Sequence, residues 1–182
     1  MPASAAGPSY TQTTVDFIAA QIATCPVEER QAQSRAAEDC CRKGLVPQNK
    51  PHQHQGAVQQ DNNNNLKTPD LACYDIVELG AGTGNMTEVL RPRLPKLCRY
   101  LALEPSHDFV DVLNSATKHM GVETYLGRAS SIPANRGTVR NVICAQSFHW
   151  FSDGKHLEEI HRVLVTGGQL ILAIVYFVKH IR

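Results

Sequence analysis

Three glycines at alternate positions directly follow a short apolar segment, and this arrangement constrains the fold most strongly. Residues 74–79 are rich in apolar and β-branched side chains, which is typical of a buried strand. A helix is predicted over residues 86–90, with Asn85 as its cap. A glycine-rich turn between strand and helix lets the backbone approach a ligand closely and points N–H groups at an anionic part of it. The segment therefore predicts a pocket for a nucleotide-sized ligand. The glycines are Gly80, Gly82 and Gly84.

Two acidic residues flank this glycine run. Glu78 stands two residues before the first glycine, where a carboxylate can accept hydrogen bonds from a cationic amino group. A second apolar run, residues 100–103, ends at Glu104, about 20 residues beyond the glycines, and an acidic residue at that spacing typically binds ribose hydroxyls. A dinucleotide fingerprint would need glycine at its sixth place, where this chain has Asn85.

Three segments together resemble class I S-adenosylmethionine-dependent methyltransferases. The E-x-G-x-G-x-G pattern of residues 78–84, with Glu104, is similar to their cofactor signature. Residues 145–151 (AQSFHWF) resemble the segment after strand 4 in the methyltransferase type 11-like, small-molecule branch. Residues 162–168 resemble the R-V-L-x-P-G-G turn before strand 5, with Thr166 in place of the proline. The resemblance covers about residues 74–175.

Strands and helices alternate regularly from Tyr74 onward. This alternation predicts parallel strands joined by helical crossovers, with a ligand site at the carboxyl ends of the strands. In the resembling family this is a doubly wound, Rossmann-like α/β fold whose parallel sheet has the order 3-2-1-4-5. The predicted strands cover residues 74–79, 99–103, 123–126, 139–145 and 169–176, and the predicted helices between them cover residues 86–90, 107–119 and 154–163.

The sequence stops where the family fold normally continues. The resemblance implies a further helix and strands 6 and 7 beyond strand 5, whereas this chain ends at Arg182. A C-terminally truncated core would leave the apolar run of residues 170–175 on an edge strand with unpaired backbone groups. We therefore expect instability, self-association through the strand 5 edge, or a missing partner.

The resemblance implies a role for each matching residue. Glu78 would face the methionine amino group of the cofactor, and the glycines would let the backbone approach its methionine and ribose parts. Glu104 would hold the ribose, with Pro105 and Ser106 forming the wall beside it. Residues 127–130 would flank the adenine, although many relatives carry an acidic residue where Ser130 stands. The implied cofactor-binding residues are Glu78, Gly80, Gly82, Gly84, Glu104, Pro105, Ser106, Arg128, Ala129 and Gln146.

The segment after strand 4 supplies the candidate catalytic residue. Gln146 would lie where the chain leaves strand 4 beneath the cofactor, and His149 and Trp150 would line the mouth shared by cofactor and substrate. A methyl transfer needs a general base only when the acceptor must lose a proton, and His149 is the best candidate for that base. A role for His149 in the pocket wall, or in packing beside Trp150, stays open.

Composition limits the classes of partner and compartment. The chain has 182 residues, which indicates one domain, and its net charge of +1 gives no case for nucleic acid or an anionic membrane as partner. Six cysteines include no C-x-x-C pair and fit a reducing compartment, and the spacing of cysteines and histidines predicts no metal site. The apolar run of residues 170–178 is too short for a transmembrane helix, which needs about 20 residues. We expect a cytoplasmic protein.

The chain divides into three parts. Residues 1–46 are predicted to form a helical cover, with one helix over residues 14–23 and a second over residues 28–43. Residues 47–70 are rich in glutamine, asparagine, histidine and proline, which predicts a disordered insert or linker. Residues 71–182 form the predicted S-adenosylmethionine-binding core.

Three functions are compatible with these patterns. The first is S-adenosylmethionine-dependent methyl transfer to a small-molecule acceptor. The second is a truncated or non-catalytic relative that binds the cofactor weakly or not at all, which the early end of the chain and Thr166 favour. The third is an NAD-dependent oxidoreductase, whose fingerprint is broken at Asn85.

Overall fold

The computed structural model describes residues 10–22 and 74–174 of the chain. The predicted helix over residues 28–43 and the predicted insert over residues 47–70 lie outside the described residues. The described helices are α1 (Gln12–Gln21), α2 (Asn85–Leu90), α3 (His107–Thr117) and α4 (Gly154–Val163), and the strands are β1 (Tyr74–Leu79), β2 (Tyr100–Glu104), β3 (Val122–Leu126), β4 (Val139–Ala145) and β5 (Leu164–Ala173). Single 3-10 turns cover Arg91–Arg93 and Phe148–Trp150.

The strands form a parallel sheet of order β3-β2-β1-β4-β5, which confirms the predicted order and fold class. The register places Glu78 of β1 opposite Ala102 of β2 and opposite Ile143 of β4. Because all strands run in one direction, their carboxyl ends meet at one edge of the sheet. The glycine loop after β1, Glu104 at the end of β2 and Gln146 after β4 therefore lie at the same edge.

Helices cover the two faces of the sheet. On one face, Ile76 and Tyr100 belong to an apolar cluster that also contains side chains of α1, α2 and α3. On the other face, Val77 and Val142 belong to a second cluster that includes Ile160 and Val163 of α4. Each fully buried aliphatic side chain contributes roughly 2 kcal/mol of transfer free energy, so the central strands anchor the fold from both sides.

Strand β5 starts earlier than its predicted range of residues 169–176. It begins at Leu164 and ends at Ala173, and its register with β4 shifts so that Val139 pairs with Leu164 while Asn141 pairs with Gln169. Gly167 has a φ of +79°, which permits the local distortion. The turn expected before the strand is therefore a bulge within it.

Strands β1 and β4 and helix α4 have the predicted bounds, whereas α2, α3, β2 and β3 differ from prediction by one or two residues. Helix α2 begins at Asn85, and its N-cap is Gly84 in a left-handed conformation rather than the Asn85 side chain. Helix α3 ends at Thr117 rather than at residue 119, because the Met120 N–H bonds to the Thr117 carbonyl and closes a tighter turn. Strand β2 runs one residue later than predicted, and β3 starts one residue earlier.

Helix α1 runs two residues earlier than the predicted range of residues 14–23. Its cap is Thr11, whose Oγ1 accepts a hydrogen bond from the Thr14 N–H at 3.2 Å. Its apolar side chains Val15, Ile18 and Ile22 are buried together against the sheet. The helix therefore packs over the face that carries Ile76.

Strand β5 occupies one edge of the described sheet. Leu172 at its end and Ile174 just beyond it are exposed apolar side chains. The expected self-association through this edge stays a prediction. Within residues 10–22 and 74–174, no helix is long and apolar enough to cross a membrane.

Candidate functional site

The glycine loop is fastened to the end of β2. The N–H groups of Gly80 and Ala81 both donate to the carbonyl oxygen of Leu103, at 2.8 and 3.1 Å. All three loop glycines have positive φ angles, of 67° at Gly80, 59° at Gly82 and 98° at Gly84. The loop backbone therefore needs glycine at each of these positions.

The three glycines differ in the space around them. A Cβ at Gly80 would lie 2.7 Å from the Cβ of Ser147, and a Cβ at Gly84 would lie 3.0 Å from Cδ1 of Leu113. A Cβ at Gly82 would meet no protein atom within 4 Å. The protein thus packs closely against two of the glycines and leaves open space in front of Gly82.

Glu104 is joined to the loop by its carboxylate. Its Oε2 accepts a hydrogen bond from the Gly82 N–H at 2.9 Å, and its Oε1 accepts one from the Ser106 N–H at 3.0 Å. The side chain is buried. The glycine loop and Glu104, about 20 residues apart in the sequence, are therefore in direct contact. The two backbone N–H groups fix the orientation of the carboxylate.

The side chain of Glu78 on β1 is buried, with an exposed fraction of 1%. Its Oε2 accepts hydrogen bonds from the hydroxyl of Thr87 at 2.6 Å and from that of Tyr100 at 2.7 Å. Burial raises the pKa of Glu78 to about 7, and the two hydrogen bonds act in the opposite direction. Burial and the neighbouring Glu78 also raise the pKa of Tyr100 well above its ordinary value, so the phenol stays a donor.

Sequence reasoning missed both donors to Glu78. Thr87 lies in the first turn of the helix that follows the loop, nine residues after Glu78, which is a readable signal once the loop is recognised. Tyr100 is the first residue of β2, and its hydroxyl reaches Glu78 along the sheet. No local pattern marks Tyr100, because its contact depends on the β1–β2 register.

Two further side chains lie close enough to sense the charge of Glu78. Tyr10, just before α1, packs against the apolar cluster that contains Ile76, and burial together with Glu78 raises its pKa to about 12. Burial and Glu78 likewise raise the pKa of Cys144 on β4 to about 12. Glu78 is therefore surrounded by groups that are neutral at ordinary pH.

The chain leaves β4 in a strained conformation. Gln146 has a φ of +57°, the one positive value among the described non-glycine residues, and its N–H donates to the Ala173 carbonyl at 2.9 Å. Its Nε2 is buried without a hydrogen-bond partner among the described residues. Ser147 follows, and its Oγ donates to the Leu79 carbonyl at 2.6 Å. The ends of β1, β4 and β5 are thus joined around Gln146.

The remaining predicted residues vary in exposure. Pro105 and Arg128 are exposed, whereas Ala129 is buried against the second apolar cluster. His149 and Trp150 are exposed, Trp150 by 81%, and their ring centroids lie 4.9 Å apart. The two rings contact each other. The catalytic role of His149 stays a prediction.

Arg162, in the segment that resembles the turn before strand 5, has a structural task. Its guanidinium donates to the carbonyls of Ala134 at 2.8 Å and Ile132 at 3.0 Å, and to both carboxylate oxygens of Glu159. Glu159 in turn accepts the Ile132 N–H at 2.7 Å. The pair fastens the loop between β3 and β4 to α4.

Comparison with known proteins gives consistent matches. The family model described as a methyltransferase domain matches residues 77–172. An uncharacterized methyltransferase-like protein of Schizosaccharomyces pombe is 39% identical over 95 residues, which are 52% of this chain and 36% of that protein. An uncharacterized methyltransferase of Mycobacterium bovis is 35% identical over 99 residues, which are 54% of this chain and 39% of that protein. The chain thus spans well under half the length of these relatives. A solved SAM-dependent methyltransferase from Aquifex aeolicus has 24% identity and a TM-score of 0.46, with 50% of each chain covered.

Proposed function

Because this chain belongs to the methyltransferase domain family, we propose that it transfers a methyl group from S-adenosylmethionine to a small-molecule acceptor. The observation that carries the proposal is the pair of buried carboxyl groups, Glu78 and Glu104, on either side of the glycine loop. They lie at the carboxyl ends of the adjacent parallel strands β1 and β2, where such folds bind ligands.

The residues present fit the chemical groups of the cofactor. The open space at Gly82 lets an adenosine-sized ligand reach the backbone without meeting a side chain. Glu104 uses one acceptor site of each oxygen for backbone N–H groups, and a carboxylate has further sites for ribose hydroxyls. Glu78 would accept from the cationic amino group, and the unpartnered Nε2 of Gln146 would donate to the ligand or the acceptor.

The chemistry needs little from the protein beyond placement. The sulfonium of S-adenosylmethionine makes its methyl group electrophilic. The chain's own residues then have to hold the acceptor in line and keep water away. The small-molecule character of the acceptor rests on the likeness of residues 145–151 to the small-molecule branch. His149 would act as base only for an acceptor that must lose a proton.

Calorimetric titration with S-adenosylmethionine, S-adenosylhomocysteine and NAD tests the cofactor. We expect binding of the first two and none of NAD. Glu104→Gln should lower the affinity for S-adenosylmethionine and for S-adenosylhomocysteine by about tenfold, because a hydrogen bond to an ionised group is worth roughly 1.5–3 kcal/mol. Glu123→Gln, on β3 and outside the loop, is the matched control and should bind as wild type. Binding of NAD alone would sink the proposal.

A second candidate is a cofactor-binding protein without activity. The exposure of His149 and Trp150 favours it, because neither side chain is enclosed beside the loop. Incubation with methyl-labelled S-adenosylmethionine and fractionated small-molecule extracts separates the two functions. Label in any small-molecule fraction that depends on Glu104 supports methyl transfer. Binding of S-adenosylhomocysteine with no transfer to any fraction would favour the second candidate.

A further inference from the structure

The two carboxyl oxygens of Glu78 have unequal surroundings. Oε2 accepts both hydrogen bonds, from Thr87 and from Tyr100, while Oε1 accepts none from the residues that the structure describes. A carboxylate oxygen has more than one acceptor site, so Oε1 keeps its sites free while Oε2 is engaged. A carboxyl kept only for stability would gain from a donor on each oxygen. The asymmetry therefore points to a donor that arrives with a ligand.

The Tyr100 hydroxyl donates one of these two hydrogen bonds from a fixed position. Its side chain is almost fully buried and belongs to the same apolar cluster as Ile76 and Met86. The register pairs Glu78 with Ala102, and Tyr100 lies two residues before Ala102 on the same face of β2. Packing around the ring thus fixes the position of its hydroxyl, 2.7 Å from Oε2.

We propose that Tyr100 is a positioning residue, which holds Oε2 of Glu78 so that Oε1 is presented to the amino group of the ligand's amino-acid part. The inference rests on the proposed function, since it takes S-adenosylmethionine as the ligand. The terminal torsion of a glutamate is broad, so an unrestrained carboxyl would lose more freedom when it binds an ammonium group. The Tyr100 hydroxyl also favours the ionised carboxylate that the ammonium group needs.

Tyr100→Phe tests the role, because it removes the hydroxyl and keeps the buried ring. The probes are S-adenosylhomocysteine, which carries the amino group, and 5′-methylthioadenosine, which has the same adenosine thioether without it. We expect the variant to bind S-adenosylhomocysteine about tenfold more weakly and 5′-methylthioadenosine within about twofold of wild type. A purely structural role would change the affinities for both ligands alike.

Tyr74→Phe is the matched control. The Tyr74 hydroxyl also donates to a carboxylate, Oε2 of Glu123 at 2.8 Å, but that pair includes neither Glu78 nor a glycine of the loop. The control should leave both affinities unchanged. Thermal unfolding of both variants shows whether each is folded at the temperature of the titration.

Each outcome of the titrations has one meaning. If Tyr100→Phe lowers the affinities for the two ligands equally, or lowers neither, the positioning role would be overturned. Wild-type protein that binds neither ligand would overturn the proposed function and this inference with it. If Tyr100→Phe does not fold, Thr87→Val removes the other donor and supplies the same comparison, with Thr87→Ser expected to keep wild-type selectivity.

Discussion

The Ser147 hydroxyl donates a 2.6 Å hydrogen bond to the carbonyl of Leu79, so the end of β4 is joined to the end of β1 where the glycine loop begins. The same junction leaves no room for a side chain at Gly80, whose Cβ would lie 2.7 Å from that of Ser147. Gly82, two residues on, faces open space. Both glycines have positive φ angles, but only at Gly80 does a neighbouring side chain also exclude a Cβ, whereas Gly82 leaves room for a ligand.

Alanine substitutions separate these two requirements. Gly80→Ala combines a left-handed backbone with a steric overlap and should lower the free energy of unfolding by about 3 kcal/mol. Gly82→Ala has the unfavourable left-handed backbone without a steric overlap, so it should lower the free energy of unfolding by about 1 kcal/mol. Its Cβ would occupy the ligand space and weaken the binding of S-adenosylhomocysteine. Denaturant unfolding and calorimetry measure the two effects.

Gly137→Ala is the control for this pair. Gly137 has a φ of +66° and open space around it, but it precedes β4 at the opposite end of that strand. It should cost about as much stability as Gly82→Ala and leave ligand binding unchanged. Equal ligand affinity in the Gly82 and Gly137 variants would contradict the assignment of the open space to the ligand.

Glu78 should make stability fall as pH rises. Its pKa is raised from 4.5 in the unfolded chain to about 7 in the folded protein, so the folded state holds the proton more tightly. Its contribution is complete below pH 4.5 and is lost as pH rises through about 7, a change on the order of 3 kcal/mol. The facing groups Tyr10, Tyr100 and Cys144 have raised pKa values and stay neutral across this range.

Denaturant unfolding of wild type and Glu78→Gln between pH 4.5 and 8 measures this contribution. All other titrating groups are common to the two proteins, so the difference between their curves isolates Glu78. The wild type should lose stability relative to the variant across the range. Curves that stay parallel would show that folding does not raise the pKa of Glu78.

The sequence predicted the sheet order and the acidic residues, but not how they are held. The glycine spacing and Glu104 are local signals, and their contact follows from any strand–loop–helix–strand unit. The hydrogen bond from Tyr100 to Glu78 depends on strand register, and the conformation of Gln146 depends on where three strands end together. Neither has a short-range signature. The early start of β5 was missed because a glycine pair predicts a turn, whereas pairing with β4 turned it into a bulge.

Arg162 should matter for stability through the loop that it holds. Arg162→Lys keeps the charge but cannot reach the carbonyls of Ile132 and Ala134 and the Glu159 carboxylate together, so it should cost about 2 kcal/mol. His161→Ala, an exposed neighbour on α4, is the control and should stay within about 0.5 kcal/mol of wild type. Faster amide hydrogen exchange at Ile132 in the lysine variant would locate the loss in this loop. Unchanged exchange there would argue against the clamp.

The conformation and burial of Gln146 should lower the stability of the fold. Its left-handed backbone costs roughly 1 kcal/mol relative to glycine, and its buried, unpartnered Nε2 costs a similar amount. Gln146→Ala removes the amide and keeps the strain, whereas Gln146→Gly removes both. We expect the free energy of unfolding of the glycine variant to exceed that of the alanine variant by about 1 kcal/mol. The alanine variant should be at least as stable as wild type. Strain of this kind persists where function requires it, so both variants should bind S-adenosylhomocysteine more weakly or lose methyl transfer. A wild type that is more stable than both variants, with unchanged binding and transfer, would assign Gln146 to packing alone.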